Sequence, residues 1–291
     1  MSTSELPSAH KGGGLFKGPT LVRYAEAVRF LWGDAESHQV ADLVYGRGER
    51  ISSVVFSLRP GEYFKTSKSW KPFYDQDRFY YVVQGQLTIQ DPATGEVAVA
   101  YEGEAIYWSG AKYHFGYNFG QRETLVLDWY APPERPPDVP EADVSPLKPD
   151  LAQELGGQYE LLGQWPAQRA SVQTAAWRDG GVVTLRRQDC LHLILGSDNP
   201  ALVSLFVSSD VLTAGIMELL PGRVTDAETH PGDEVLFATR GRLNVYLPDT
   251  RDWFELHPRD SLFIPEGVKH QYYNYSGEPL ELVFAVAPHY R

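Results

Sequence analysis

Residues 222–241 read GRVTDAETHPGDEVLFATRG, a charged interval set in an otherwise apolar part of the chain. An apolar run ends at Leu219-Leu220 just before it and another, LNVYL, follows from Leu243, so Glu228, His230, Asp233 and Glu234 interrupt what are otherwise core-forming strands. In an extended chain successive side chains face opposite ways, which puts Glu228 and His230 on one face. Pro231-Gly232 then bends the chain and Glu234 opens the next strand, with Asp233 expected to face solvent. His270 follows the turn Pro265-Glu266-Gly267 and begins another short strand. Glu228, His230, Glu234 and His270 can therefore converge on one point. Two imidazoles with carboxylates suit Mn, Fe, Co, Ni or Zn, whereas Ca and Mg favour all-oxygen shells.

Outside this stretch the chain repeats the same short strands. ISSVVFSL, RFYYVVQGQLTI, ETLVLDWYA, LVSLFV, DSLFIPE and PLELVFAVA alternate or run apolar over a few residues and end at Gly, Pro or Asp. The fold class predicted is all-β, with helical periodicity only over residues 21–32, 149–155 and 171–177. RFYYVVQGQLTI from Arg78 also aligns without a gap on EVLFATRGRLNV from Glu234. In that register Gly85 meets Gly241, His114 meets His270, Asn118 meets Asn274, and Ala131-Pro132 meets Ala287-Pro288. Such a repeat means two copies of one unit. Between them APPERPPDVPEADVSPLKPD, residues 131–150, has the composition of an extended connector. The expected organisation is an N-terminal extension over 1–45, a first barrel over 46–133, a connector and inter-barrel segment over 134–180, and a second barrel over 181–291.

Composition narrows the function. The chain has 291 residues, enough for two such units, and its formal charge of -12 disfavours nucleic acid as a partner. One cysteine, Cys190, excludes an internal disulfide and a multi-cysteine zinc site. The first residues carry neither the basic nor the apolar region of a secretory signal, and no run is long enough to span a membrane; a soluble cytoplasmic protein is expected. With 17 Tyr, 13 Phe and 7 Trp the chain can build apolar-walled pockets with polar tips, for which Tyr246, Tyr272 and Tyr273 are candidates. Arg223 is either a substrate anchor or a surface residue.

The spacing Gly222-x5-Glu228-x-His230-x3-Glu234-x6-Gly241, followed by Pro265-x-Gly267-x2-His270-x3-Asn274, resembles the two motifs of the cupin family. Glu228 stands where the first motif has its first histidine, and Arg259 where the second has its leading glycine. With the repeat included, the chain resembles a bicupin: two jelly-roll barrels, each able to enclose a metal held by the motif residues. That resemblance implies one divalent metal on Glu228, His230, Glu234 and His270, with Glu228 either a ligand or an acid-base group and Tyr272 a further catalytic candidate. The first copy departs from the pattern. Arg78 replaces the glutamate, no histidine lies between Gly61 and Gly85, and Ser109 and Ala111 replace Pro and Gly. Asp75 and Asp77 are the carboxylates nearest that position in sequence, but the first barrel is expected to be structural, packing on the second barrel or on another subunit.

Replacing a neutral histidine by Glu228 adds negative charge and moderates the Lewis acidity of a bound metal, which suits non-redox work. Related ligand sets occur in phosphomannose-type isomerases and in ureidoglycine aminohydrolase, a bicupin with E-x-H in its second barrel, although Glu234 stands where the latter has His. The resemblance thus implies a lyase, isomerase or hydrolase acting on a small oxygen-rich metabolite, a carbonyl or hydroxy acid or a sugar. An Fe(II) dioxygenase of an aromatic ring or diketone is the second class, and a non-catalytic ligand-binding barrel the third. A homodimer is the default for such a chain by resemblance.

Overall fold

The structure, a computed structural model, describes residues 15–65, 67, 70, 76–92, 95–110, 112–133 and 181–291. The strands of the first half are β1 (Thr20–Val22), β2 (Val28–Trp32), β3 (Val40–Arg47), β4 (Ser52–Leu58), β5 (Tyr63–Phe64), β6 (Asp77–Gln84), β7 (Gln86–Gln90), β8 (Val97–Tyr101), β9 (Ala105–Trp108), β10 (Phe115–Tyr117) and β11 (Thr124–Ala131). Those of the second are β12 (Val183–Leu185), β13 (Leu191–Leu195), β14 (Ala201–Ser208), β15 (Thr213–Leu219), β16 (Gly232–Arg240), β17 (Leu243–Leu247), β18 (Asp252–Leu256), β19 (Ser261–Ile264), β20 (Gln271–Tyr273) and β21 (Leu280–Pro288).

Each half builds a large sheet and a small one. The first pairs β12-β9-β6-β11-β4-β3-β2 with β5-β10-β7-β8, and the second pairs β1-β19-β16-β21-β15-β14-β13 with β18-β17-β20. Every ladder is antiparallel, the layout of a jelly roll. Alternation along β16 shows how the sequence produces this. Val235 and Phe237 point into a core between the two large sheets, while Leu236 and Ala238 point into the interior of the second barrel. Strands buried on both faces read as continuous apolar runs rather than alternating ones, and β11, TLVLDWYA, is buried throughout. The inter-barrel core joins Phe79, Tyr81 and Trp129 to Phe206, Phe237 and Val283. Each fully buried side chain of this size contributes roughly 1.5–3 kcal/mol, so the first barrel is a structural partner of the second.

Sheet membership crosses the boundaries read from the sequence. β1 and β2 lie inside the segment 1–45, yet β1 pairs with β19 of the second barrel and β2 with β3 of the first. β12 lies beyond residue 180 and pairs with β9 of the first barrel. The barrels thus exchange edge strands. The helix expected over residues 21–32 is replaced by β1, a turn and β2. Asp260 overrides the periodicity there, accepting from the Tyr24 backbone N–H at 2.9 Å and from Arg23 Nη1 at 2.8 Å. The helical segments expected over 149–155 and 171–177 fall outside the described residues, as does the connector. Among the described residues no helix is long and apolar enough to cross a membrane.

Candidate metal centre

Four backbone devices bring the residues of ETHPGDE to one place. Glu228 and His270 face each other across an isolated antiparallel bridge, with Glu228 N–H donating to His270 O at 2.9 Å and His270 N–H to Glu228 O at 3.0 Å. The carbonyl of His230 accepts from Gly267 N–H at 3.0 Å, which docks the ETH segment on the turn before His270. Gly232 then passes so close to β21 that a Cβ there would meet the Ala287 carbonyl oxygen at 2.5 Å, a contact only glycine permits. Glu234 follows inside β16, opposite Ile264 and Val286.

Both imidazoles are fixed and leave one nitrogen over. Nδ1 of His230 lies 2.9 Å from the carbonyl oxygen of Tyr290, and Nδ1 of His270 lies 3.0 Å from that of Val268. A carbonyl can only accept, so each Nδ1 carries a proton, and in the neutral ring each Nε2 then presents a lone pair. Both Nε2 atoms are buried without a hydrogen-bond partner among the described residues. They face Glu234, whose oxygens lie 3.7 Å from Nε2 of His230 and 3.2 Å from Nε2 of His270. Lone pairs directed at a carboxylate repel unless a cation stands between them. Donor atoms of Glu228, His230 and His270 lie within 4.8 Å of one another. The donor set fits a divalent transition metal held by two neutral imidazoles and carboxylate oxygen, each imidazole steadied from behind by a carbonyl.

Two tyrosines complete the site. Tyr272 is 1% exposed, and its hydroxyl lies 2.8 Å from both oxygens of Glu234, donating its proton to that carboxylate. Burial and then the charge of Glu234 hold its pKa well above the ordinary phenol value. It is a support of Glu234. Tyr290, which the sequence reading did not single out, acts three times: its carbonyl holds His230, its ring packs on that imidazole at 4.3 Å, and its hydroxyl donates to Glu228 at 3.3 Å. Burial raises the carboxyl pKa of Glu228, and the neighbouring charge of Glu234 raises it further.

Two expectations change, and the alternatives for Arg223 resolve to the surface. Asp233 is buried rather than solvent-facing, accepting from Glu266 N–H at 3.1 Å with Arg50 at 3.9 Å. Tyr246 and Tyr273 lie outside the pocket, because along β20 Tyr273 faces away from Tyr272; both pack on Trp253, at 6.1 Å and 5.4 Å. Arg223 is exposed in a turn, where its backbone serves Asn274.

The same position in the first barrel is closed. Nε2 of His114 lies 3.0 Å from the Tyr80 hydroxyl, and Arg78 is buried with Asp128 at 3.2 Å. Asp77 accepts from Tyr107, Ser109 and Ser209, so it braces the barrel junction. Asp75 and Ala111 fall outside the described residues.

The cupin domain family matches residues 215–286. Among solved structures, a protein from Pseudomonas aeruginosa described as glyoxylate induced is similar at a TM-score of 0.63 and 14% identity, covering 98% of this chain and 97% of its own. YlbA from E. coli gives 0.62 at 12% identity over 96% and 95%, and oxalate decarboxylase from Lactobacillus farciminis 0.60 at 15% over 96% and 88%. No curated protein matches the chain. At these identities the structural likeness speaks for the fold, and the family match falls on the barrel that holds the four convergent residues. The second barrel therefore matches the cupin domain family, and the chain as a whole has the two-barrel fold of these solved structures, with Arg78 in the first barrel where the second has Glu234.

Proposed function

We propose that this chain is a metal-dependent bicupin enzyme that acts on a small oxygen-rich acid, or a hydroxy or carbonyl relative of one, by lyase, isomerase or hydrolase chemistry without net oxidation by oxygen. The observation that carries this reading is the pair of buried, unpartnered Nε2 atoms of His230 and His270 aimed at Glu234, with Glu228 beside them. A divalent metal held there would polarise a substrate oxygen as a Lewis acid. Glu228 and Glu234 together balance its charge, which favours binding and proton chemistry over a cationic oxygen-activating centre.

The chain's own residues supply the rest. Glu234 is locked by Tyr272 and serves as a fixed ligand. Glu228 is only partly buried and is held by one longer contact, from Tyr290, so it has the freedom to move a proton at a substrate carbon or oxygen. Phe284 packs on Tyr290 at 5.4 Å and helps keep water from that side of the site. That solved relatives of the same fold include an oxalate decarboxylase and a protein described as glyoxylate induced supports a small acid as the substrate class.

The test combines metal content with turnover. Protein purified without a tag is analysed by plasma mass spectrometry, then incubated with small hydroxy-acids, oxo-acids and aldoses while products and dissolved oxygen are followed together. One transition metal per chain and product formed without oxygen uptake are expected. Oxygen consumed in proportion to product would overturn the non-redox reading in favour of a dioxygenase, and metal-loaded protein that only binds these compounds would overturn the enzymatic one.

A further inference from the structure

The candidate ligands of the second barrel rest on a part of the first. Successive residues of β16 face opposite ways, so Glu234 points into the second barrel while Asp233 lies on the side of Val235 and Phe237, which face the first. What Asp233 meets there is the turn 48–51 that joins β3 to β4. Gly48 N–H closes that turn on Ile51 O at 2.8 Å. The turn packs so closely that a Cβ on Gly48 would lie 2.3 Å from the Phe263 ring and 2.8 Å from Oδ2 of Asp233, a fit that only glycine allows.

Arg50, in the same turn, joins two segments that the sequence keeps apart. Its Nη1 pairs with the Glu266 carboxylate and lies 3.9 Å from Oδ1 of Asp233, and that Oδ1 accepts from Glu266 N–H at 3.1 Å. Asp233 immediately precedes Glu234. Glu266 sits in the turn that leads to His270, and its neighbour Gly267 holds the carbonyl of His230. One guanidinium from the first barrel thus ties together the backbone that carries Glu234, His230 and His270. Without it, the like charges of Asp233 and Glu266 would stand uncompensated beside the ligands. The opposite junction has the same layout and different chemistry. Asp77 is the counterpart of Asp233 in the repeat, and Ser209, in the turn joining β14 to β15, donates to it from the second barrel. That contact is a neutral hydroxyl, and Gly110 stands where the second barrel has Glu266.

We propose that Arg50 is a positioning residue for the metal centre, through which the first barrel sets the metal affinity of the second. The role rests on Glu228, His230, Glu234 and His270 binding a metal. Arg50 touches neither that metal nor a substrate; it fixes the spacing between β16 and the turn before His270. Its side chain is 40% exposed and that of Glu266 47%, so the pair adds little to folding and its removal leaves the barrels intact.

Cobalt(II) is the probe. Wild type, Arg50→Ala, Arg50→Lys and Ser209→Ala are loaded with the ion and titrated with a competing chelator while its visible absorption is recorded. Arg50→Ala is expected to bind cobalt about 10-fold more weakly, the lower end of the range for residues that steady a ligand from behind, with a shifted visible band. Arg50→Lys, which keeps the charge but not the planar fork, should recover part of the affinity, and Ser209→Ala should match wild type. If Arg50→Ala fails to fold by circular dichroism, Glu266→Gln breaks the same ion pair from the second barrel and takes its place. Cobalt affinity and spectrum unchanged in the folded variant would overturn the role of Arg50 alone. So would an equal loss in Ser209→Ala, which would make the effect one of general packing. A wild-type chain that binds no cobalt would overturn the metal centre itself, and this role with it.

Discussion

Asn118 and Asn274 do the same work in the two barrels, whereas His114 and His270, four residues earlier, do not. Nδ2 of Asn118 donates to Leu58 O and Arg122 O, both at 2.9 Å, and Nδ2 of Asn274 to Leu219 O and Glu278 O, both at 2.8 Å. Gly85 and Gly241 likewise share a left-handed backbone, with φ of 84° and 76°. The histidines part company at Nε2. Tyr80 supplies a hydroxyl to His114, but Leu236 stands at the equivalent place in the second barrel and Nε2 of His270 is left without a partner. Arg78 and Asp128 stand where the second barrel has Glu234 and Phe284, and Gly116 where it has Tyr272. A Cβ on Gly116 would meet the ring of Phe64 at 2.1 Å, so that ring fills space beside the first barrel's histidine. Residues that hold turns persist because both barrels need them. Residues around the histidine diverge because one barrel gives its histidine's Nε2 an internal partner and the other leaves Nε2 open to an outside one.

The sharpest way to break this contrast is to remove the second histidine. His270→Ala is expected to reduce bound transition metal from about one per chain to near zero, while His114→Ala leaves it unchanged; both are read by plasma mass spectrometry. Equal loss from the two variants would mean that the barrels are not chemically distinct. Next in size is the ion pair in the first barrel. Arg78 is 7% exposed, lies over the Tyr130 ring at 4.7 Å and contacts Asp128 at 3.2 Å. Arg78→Ala leaves a buried carboxylate uncompensated and should cost about 3–5 kcal/mol in denaturant unfolding. Arg78→Met with Asp128→Leu should recover most of that, since the second barrel already fills the Asp128 position with Phe284. A loss below about 1 kcal/mol for Arg78→Ala would show that the pair is not what closes the first barrel.

Much of this was legible because the fold needs certain residues at fixed spacing. The glycine turns and the His-x3-Asn pairs reveal the repeat, and the E-x-H-x3-E spacing points to side chains that the second barrel brings together, because alternation and a Pro-Gly bend convert sequence intervals into directions in space. The exchanged strands β1 and β12 were not legible: each has three residues, too few for a period, and their partners are far away in sequence. Asp233 read as a surface residue because Arg50 and the Glu266 amide beside it are supplied by turns elsewhere in the chain. Tyr272 and Tyr273 could be told apart only through register, where Tyr272 sits opposite the buried Val245. Tyr290 lies beyond both motifs, and its one signal was position, a large polar-tipped ring just past the last core strand.

The neutral, enclosed state of His114 gives the first barrel a pH signature. Burial lowers the pKa of this imidazole to about 3, and the nearby charge of Arg78 lowers it further. In the unfolded chain the group takes up a proton near pH 6.5, so between these values the unfolded state binds more protons and stability falls as pH drops. The decline is about 1.4 kcal/mol per pH unit below 6.5, or about 2 kcal/mol between pH 7 and pH 5. Denaturant melts of wild type and His114→Gln across that range isolate the effect as a difference in slope. Identical slopes would mean that the first barrel admits a charged imidazole, and its description as the closed member of the pair would fail.

The smallest effects belong to the hydroxyls behind the two carboxylates, and their order matters more than their size. Tyr272 approaches Glu234 at 2.8 Å from a fully enclosed position, whereas Tyr290 reaches Glu228 at 3.3 Å, the long end of hydrogen bonding. Removing a group that orients a metal-binding carboxylate typically lowers metal affinity by about 10- to 100-fold. Tyr272→Phe should fall in that range in a chelator-competition titration, and Tyr290→Phe should lose less than about tenfold, because its carbonyl still holds His230. The reverse order would make Glu228 the tightly held ligand and Glu234 the mobile carboxylate. The acid-base role would then pass to Glu234, which has its exchangeable proton partner in Tyr272 and no path to solvent comparable to that of the partly exposed Glu228.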